Sequence, residues 1–227
     1  MGKFVSNRNE TVRMFKNPVL EYFSHIHPIT PVVVYVPVVV LCSWLGFPLV
    51  PLFSGIAAFV GGVLLWTLME YAIHRWAFHY EPKTEYGKYM HFLVHGVHHD
   101  YPRDSTRLVM PLLVSVPLGL AFFLLFGLLF GNYQYVVFAG FIAGYVAYDS
   151  MHYAVHHLPM KNRFAKFMKH YHLRHHYNDE NTAYGISSPL WDMVFRTMPE
   201  YLRTGEDREP GSKDTTKDKT PLVENSL

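Results

Sequence analysis

The sequence predicts an all-α integral membrane protein with four transmembrane helices in two hairpins and a cytosolic helical cap that holds a histidine-rich dimetal site. The first observation is apolar length: residues 29–71 contain a single charged residue, Glu70, and residues 108–148 contain none. A membrane-spanning helix needs about 20 mainly apolar residues, so each stretch is long enough for two spans. A buried helix pair in a soluble protein is the ordinary alternative, but it rarely contains uncharged runs of this length.

The basic residues predict the orientation of these spans. All 20 Lys and Arg lie within residues 3–16, 75–107 and 161–219. Basic loops stay in the cytoplasm, so both termini and the middle segment are expected on that side. The sequence thus predicts a multi-pass membrane protein with a cytoplasmic metal site, in the endoplasmic reticulum if the source is eukaryotic and in the inner membrane if it is bacterial.

Glycine and proline mark the elements along the chain. The first hairpin is expected to turn near Gly46–Phe47–Pro48 and the second near Gly131–Asn132. Residues 184–195 are expected to form a loop and a short helix that close the cap. We expect residues 1–202 to form the membrane domain with its cap. Residues 203–227 are charged and nearly devoid of apolar side chains, which predicts a disordered tail.

Histidine is the second observation behind the predicted fold, because 13 of the 15 histidines lie within residues 74–176. Imidazole is the commonest protein ligand of mid-to-late first-row metals. A single histidine is usually satisfied by hydrogen bonds, but four groups in succession favour metal binding. No His-Glu-x-x-His zinc-protease motif is present. Ten residues are the candidate ligands: His74, His79, His95, His98, His99, His152, His156, His172, His175 and His176.

Helical spacing predicts how these residues group. Residues three and four apart share a helix face. This spacing brings together three sets: His95 with His98 and His99, His172 with His175 and His176, and His152 with His156. His74 and His79 are about 140° apart on an ideal helix, so they bind different metals or the helix ends between them. Ten ligands suit two metals with four or five each. His91 is an eleventh candidate or a hydrogen-bonding neighbour, and His157 and His170 lie off these faces.

At these motifs the chain resembles the fatty acid hydroxylase superfamily, and within it the fatty acid 2-hydroxylases of sphingolipid metabolism. The resemblance rests on the order and flanks of the four histidine groups, on residues 102–109 and 144–157, and on Gly185–Asp192. It implies that the ten histidines bind the metals and that Asp149, Tyr148 and Tyr145 belong to the catalytic site. Some members carry an amino-terminal cytochrome b5 domain with a His-Pro-Gly-Gly motif, whereas this chain has only His27–Pro28–Ile29.

The resemblance also implies cofactors and partners. Hydroxylation of an unactivated C–H bond requires a redox metal and O2, since no side chain supplies that chemistry. The expected cofactors are two irons, with zinc possible in isolated protein because the ligand type does not separate them. The expected substrate is a long or very long fatty acyl chain, free or in ceramide, hydroxylated at C2. A separate electron donor of the cytochrome b5 or ferredoxin type is expected, and no nucleic acid.

Two alternatives share the same residues. Members of the superfamily also act on carotenoids or sterols. A metal-binding or transport protein is a third hypothesis, disfavoured because the histidines flank the spans, whereas transport sites lie near the bilayer midplane. Nearby carboxylates are expected to orient the His N–H groups, namely Asp149, Asp100, Asp104 and Glu70. For all of them but Asp149, a solvated charge at the membrane interface is an equal alternative. Arg107 is expected to meet a substrate carboxylate or a lipid phosphate, or to snorkel to the headgroups.

Overall fold

The structure is a computed structural model that describes residues 5–6 and 8–204, and this part of the chain is helical with no β-strand. The predicted all-α class is therefore confirmed for these residues. The predicted tail, residues 203–227, lies outside them from residue 205 onward. The α-helices are α1 (Pro18–Ser24), α2 (Thr30–Gly46), α3 (Leu52–Ala72), α4 (Glu85–His91), α5 (Val97–Asp100), α6 (Leu112–Phe130), α7 (Gln134–His157), α8 (Arg163–Tyr177), α9 (Leu190–Val194) and α10 (Glu200–Thr204).

Three helical segments are long and apolar enough to cross a membrane: Thr30–Leu49, Leu52–Phe78 and Leu112–His157. The third has 46 residues, which as one straight helix measures about 69 Å and far exceeds a bilayer core. It folds back at Gly131, whose φ of 53° is in the region that favours glycine. The arms of this hairpin, α6 and α7, pack together, and Gln134 Nε2 donates to Phe123 O at 2.8 Å.

The first hairpin turns where the sequence predicts. A short 3₁₀ helix, Phe47–Leu49, joins α2 to α3. Proline at position 51 precedes α3 and cannot continue the helix before it. The apolar stretch of residues 29–71 is therefore two helices joined by a tight turn.

Helix α7 is the centre of the bundle, because it packs against α2, α3 and α6. Glycines let α3 and α7 approach backbone to backbone: a Cβ added at Gly62 would overlap Val137 O, and one at Gly140 would overlap Phe59 O. Small residues at such crossings are typical of helices packed in a membrane. The buried core consists chiefly of aromatic side chains, including Tyr35, Trp66, Phe126, Phe138, Phe141 and Tyr145.

The amino-terminal segment is fastened to the loop between α5 and α6 by Arg107. The Arg107 side chain is only 3% exposed, and its Nη2 lies 2.6 Å from Glu21 Oε1. Its Nη1 donates to Ser24 Oγ at 2.6 Å. The sequence interpretation of Arg107 as a contact for substrate or lipid is therefore wrong, because neighbouring protein groups occupy both terminal nitrogens.

Candidate metal centre

All ten candidate histidines lie in two groups of five at one end of the bundle. Within each group one ligand atom per residue lies within 4.8 Å of all the others. Nine of the ten side chains are buried, and His79 is half-buried. Cluster A contains His74, His79, His95, His99 and His175, and cluster B contains His98, His152, His156, His172 and His176.

The nitrogen separations fit one metal ion in each cluster. In cluster A, His99 Nε2 lies 2.9 Å from His95 Nε2, and His79 Nε2 lies 3.2 Å from His74 Nε2. In cluster B, His172 Nε2 lies 2.9 Å from His156 Nε2. Nitrogens that share a metal at about 2.1 Å are about 3 Å apart when adjacent and about 4.2 Å apart when opposite. Both clusters could therefore hold an ion with little rearrangement.

The neutral state of the buried histidines also favours metal binding in each cluster. Burial lowers the pKa of His98 to about 3, with His74 and His157 adding to the effect. Burial likewise holds the pKa values of His95, His172 and His176 well below their ordinary value. Neutral imidazole is the ligating form and has one N–H and one lone pair. Five converging rings cannot all pair with one another, so a bound cation would satisfy the remaining lone pairs.

The two clusters are side by side, since the His99 and His176 ring centroids are 4.4 Å apart. Two helical segments contribute to both. His98 and His99 are consecutive but belong to different clusters, as do His175 and His176. Consecutive helical residues point about 100° apart, so a helix that runs between two sites supplies each in turn. Spacing correctly predicted clustered ligands but not this division.

A π-helix brings His74 and His79 into the same cluster. Residues Ile73–Phe78 form this π-helix, and His79 ends it, with its backbone N–H donating to His74 O at 3.2 Å. The wider π turn brings residues five apart close to one face, and such segments are frequent at functional sites. One alternative predicted from α-helical spacing was that His74 and His79 bind different metals. The structure contradicts it, because both residues lie in cluster A.

A loop near the end of the chain orients cluster A. His74 Nδ1 donates to Tyr184 O at 2.6 Å, and His175 Nδ1 donates to Thr182 O at 2.7 Å. These bonds fix each ring so that Nε2 points into the cluster. Sequence reasoning missed both carbonyl acceptors, because a backbone oxygen leaves no residue-type signal.

Two buried carboxylates hold this loop in place. Glu70 accepts hydrogen bonds from the backbone N–H groups of Ile186, at 2.6 Å, and Ser187, at 2.9 Å. Asp192 accepts from the Tyr184 and Gly185 N–H groups at 3.0 and 2.7 Å. Glu70 was expected to contact a histidine directly, but it acts through the loop.

Three other histidines within residues 74–176 lie outside the clusters. His91 donates from Nε2 to Phe78 O, beside His79. His157 stacks on Tyr153 at 4.6 Å. His170 is exposed and accepts from Arg174 Nε at 2.9 Å. Each placement agrees with the interpretation of His157 and His170 as lying off the ligand faces.

The sequence profile of the fatty acid hydroxylase family matches residues 59–197, which include all ten histidines. The chain belongs to the fatty acid hydroxylase family. The prediction made from the histidine groups is thereby confirmed.

Relatives in the family are named hydroxylases. A dihydroceramide fatty acyl 2-hydroxylase of Arabidopsis thaliana is 41% identical over 74% of this chain and 70% of its own length. A fatty acid 2-hydroxylase of Rattus norvegicus is 35% identical over 82% of this chain but 56% of its own length. The solved hydroxylase domain of Scs7p matches with a TM-score of 0.77 at 35% identity, covering 82% of this chain and 71% of that one.

The predicted catalytic residues Asp149, Tyr148 and Tyr145 lie on α7, in the two turns before His152 of cluster B. Asp149 is buried three residues before His152 on α7, and the Tyr148 and His152 ring centroids are 5.8 Å apart. The hydrogen bond expected from a histidine N–H to Asp149 is absent among the described residues: Asp149 Oδ2 and His152 Nδ1 both lack a partner there. Asp104, also expected near a histidine, instead accepts from Thr11 and Thr106.

Cluster A borders a pocket. This pocket is lined by His79, His95 and His99, together with Lys88 and Glu180.

Proposed function

We propose that this chain is an O2-dependent dimetal hydroxylase that adds a hydroxyl group at C2 of a long or very long fatty acyl chain, free or in ceramide. The observation that carries the proposal is the pair of adjacent five-nitrogen histidine clusters at one end of an apolar helical bundle. The names of the Arabidopsis and rat relatives support the acyl substrate and the position of attack.

In this proposal each cluster holds one iron through its five histidines. Two bound irons would supply the redox capacity to activate O2 next to an unactivated C–H bond. Zinc accepts the same ligands, so protein isolated without added iron can contain zinc. The residues of the chain supply the rest: buried neutral imidazoles offer lone pairs, the 182–184 loop orients His74 and His175, and the bundle excludes water.

The proposed topology has four spans with both termini and both clusters in the cytoplasm. The hairpin turns at residues 47–49 and 131–133 support the four spans, and the placement of Lys and Arg supports the orientation. The compartment would be the endoplasmic reticulum in a eukaryote or the inner membrane in a bacterium.

A separate electron donor completes the proposal. Insertion of one oxygen atom from O2 into a C–H bond, with the other leaving as water, consumes two electrons and two protons. We infer that a cytochrome b5 or ferredoxin type donor delivers the electrons from the cytoplasm. The pocket beside His79, His95 and His99 supports access to cluster A from that side.

The test is product analysis with matched metal analysis. Purified protein reconstituted with iron, a donor system and O2 should convert a long-chain ceramide or fatty acid to its 2-hydroxy product, identified by mass spectrometry. It should contain about two metals per chain. Hydroxylation of a sterol or carotenoid alone would overturn the substrate, and metal uptake into vesicles without O2 consumption would overturn the enzyme.

A further inference from the structure

A second feature of the bundle lies below the clusters. A small, largely apolar cavity with room for about one water-sized group lies among α2, α3, α6 and α7. Six of the residues that line it are Tyr35, Trp66, Ser115, Phe122, Phe141 and Tyr145. Trp66 and Tyr145 are 6% and 4% exposed, so this wall of the cavity is deeply buried.

Two hydrogen-bond donors in this cavity are unsatisfied. Trp66 Nε1 has no hydrogen-bond partner among the described residues, and the Tyr145 hydroxyl lies near Asp149 and Ser115 without a bond of normal geometry to either. A buried donor left unpaired destabilises the protein. Elsewhere the protein satisfies such groups: Tyr35 donates to Ser115 Oγ at 2.7 Å, and Trp191 Nε1 donates to Thr67 Oγ1 at 3.0 Å.

The two donors are neighbours. The Trp66 and Tyr145 ring centroids are 5.1 Å apart, and both rings line the same cavity. We propose that Trp66 Nε1–H and the Tyr145 hydroxyl donate hydrogen bonds to the acyl carbonyl oxygen of the substrate. The inference rests on the proposed function and adds to it the residues that position the substrate.

Ligand chemistry follows from the donors and their surroundings. An indole N–H only donates, so its partner is an acceptor. No charged residue lines the cavity, and Asp149 is one turn beyond Tyr145 on α7. A free carboxylate would therefore meet no cation there, whereas the neutral carbonyl of an N-acyl lipid fits. The buried cation Arg107 is not available to such a carboxylate either, because it is paired with Glu21.

The position on α7 relates the carbonyl to the metal centre. Tyr145 precedes His152 by seven residues, which places the two on one helix face about 10 Å apart along the axis. A carbonyl held at a fixed depth on this face limits which acyl carbon reaches cluster B. Trp66 and Tyr145 are thus substrate-positioning residues that set the site of hydroxylation.

The experiment measures the carbonyl directly. Purified protein in detergent, without an electron donor, is mixed with a long-chain ceramide that carries an isotope-labelled acyl carbonyl, and the carbonyl infrared band is recorded. Two hydrogen bonds should shift the band of the bound lipid to lower wavenumber than in detergent alone. Trp66→Phe and Tyr145→Phe should each remove part of the shift and weaken binding about 5–10-fold.

Controls separate this inference from the proposed function. Tyr133→Phe removes a hydroxyl that bonds Ser54 beside the 131–133 turn, and it should leave the band and the affinity unchanged. When assayed for activity, Trp66→Phe and Tyr145→Phe should form products hydroxylated beyond C2, while their metal content stays unchanged. An unshifted band for ceramide bound to unmodified protein overturns the inference without any variant, whatever the outcome for activity. Equal binding of the free fatty acid overturns the choice of a neutral carbonyl.

Discussion

His98 and His99 are adjacent in the chain but belong to different clusters. His98 Nε2 lies 2.9 Å from His152 Nε2 in cluster B, whereas His99 Nε2 lies 2.9 Å from His95 Nε2 in cluster A. One turn of helix therefore joins the two candidate metal positions, and so does the helical turn that contains His175 and His176. A change in either segment reaches both clusters.

This division predicts how paired substitutions affect metal content. His95→Ala with His99→Ala removes two ligands from cluster A, so the protein should retain about one metal per chain. His98→Ala with His99→Ala removes one ligand from each cluster and should weaken both metals equally. Elemental analysis and metal titration check this. Hydroxylation should disappear in both.

The matched control is His170→Ala, which changes an exposed histidine outside both clusters. It should keep about two metals per chain and near-normal activity. Equal metal loss in the two paired variants would contradict the division into clusters.

The hydrogen bonds of Glu70 predict a remote effect on cluster A. Glu70→Ala removes the acceptor for the Ile186 and Ser187 N–H groups, which loosens the loop that orients His74 and His175. Metal affinity at cluster A should fall about 10–100-fold, as for other residues that orient ligands, while cluster B keeps its metal. Glu70→Gln retains one acceptor oxygen and should show a smaller loss. Unchanged affinity at cluster A in Glu70→Ala would exclude this role.

Glu21 predicts a dependence of stability on pH. Burial acts to raise its pKa, but the Phe15 backbone N–H, His25 and Arg107 together hold it below the ordinary value. A carboxylate with a lowered pKa stabilises the fold above its unfolded pKa of about 4.3, and this contribution is lost as the pH falls through the folded pKa. Glu21→Gln should lower Tm at neutral pH, and the difference from the unmodified protein should close on acidification.

Glu85→Gln is the control for this measurement, because the Glu85 side chain is 89% exposed in its pair with Lys88. Its Tm difference should be small at every pH. A gap for Glu21→Gln that persists below the folded pKa would show that packing, rather than charge, is responsible.

The proposed topology predicts which sequons are glycosylated in a eukaryotic host. A spacer with an Asn-x-Thr sequon inserted after Leu49 should be glycosylated, because the first hairpin turn faces the lumen in this arrangement. The natural sequon at Asn9–Glu10–Thr11 should remain unmodified because it faces the cytoplasm. A mobility shift removed by endoglycosidase measures both. Modification of Asn9 would reverse the topology.

The sequence by itself determined the helical class, the hairpin turns and the ten candidate ligands. These features depend on local patterns: uncharged runs longer than one span, Gly and Pro at residues 46–51, and histidines at helical spacing. The prediction for His74 and His79 left two alternatives, because α-helical spacing does not anticipate the π-helix of Ile73–Phe78.

Tertiary structure alone decided the rest. The division of His98 from His99 depends on where the helix runs between two clusters, and the orientation of His74 depends on Tyr184 O, 110 residues away. Arg107 contacts Glu21 rather than a lipid for the same reason. Contacts of this kind depend on how distant segments pack, and a backbone carbonyl or a shared cavity has no signature in residue type or spacing.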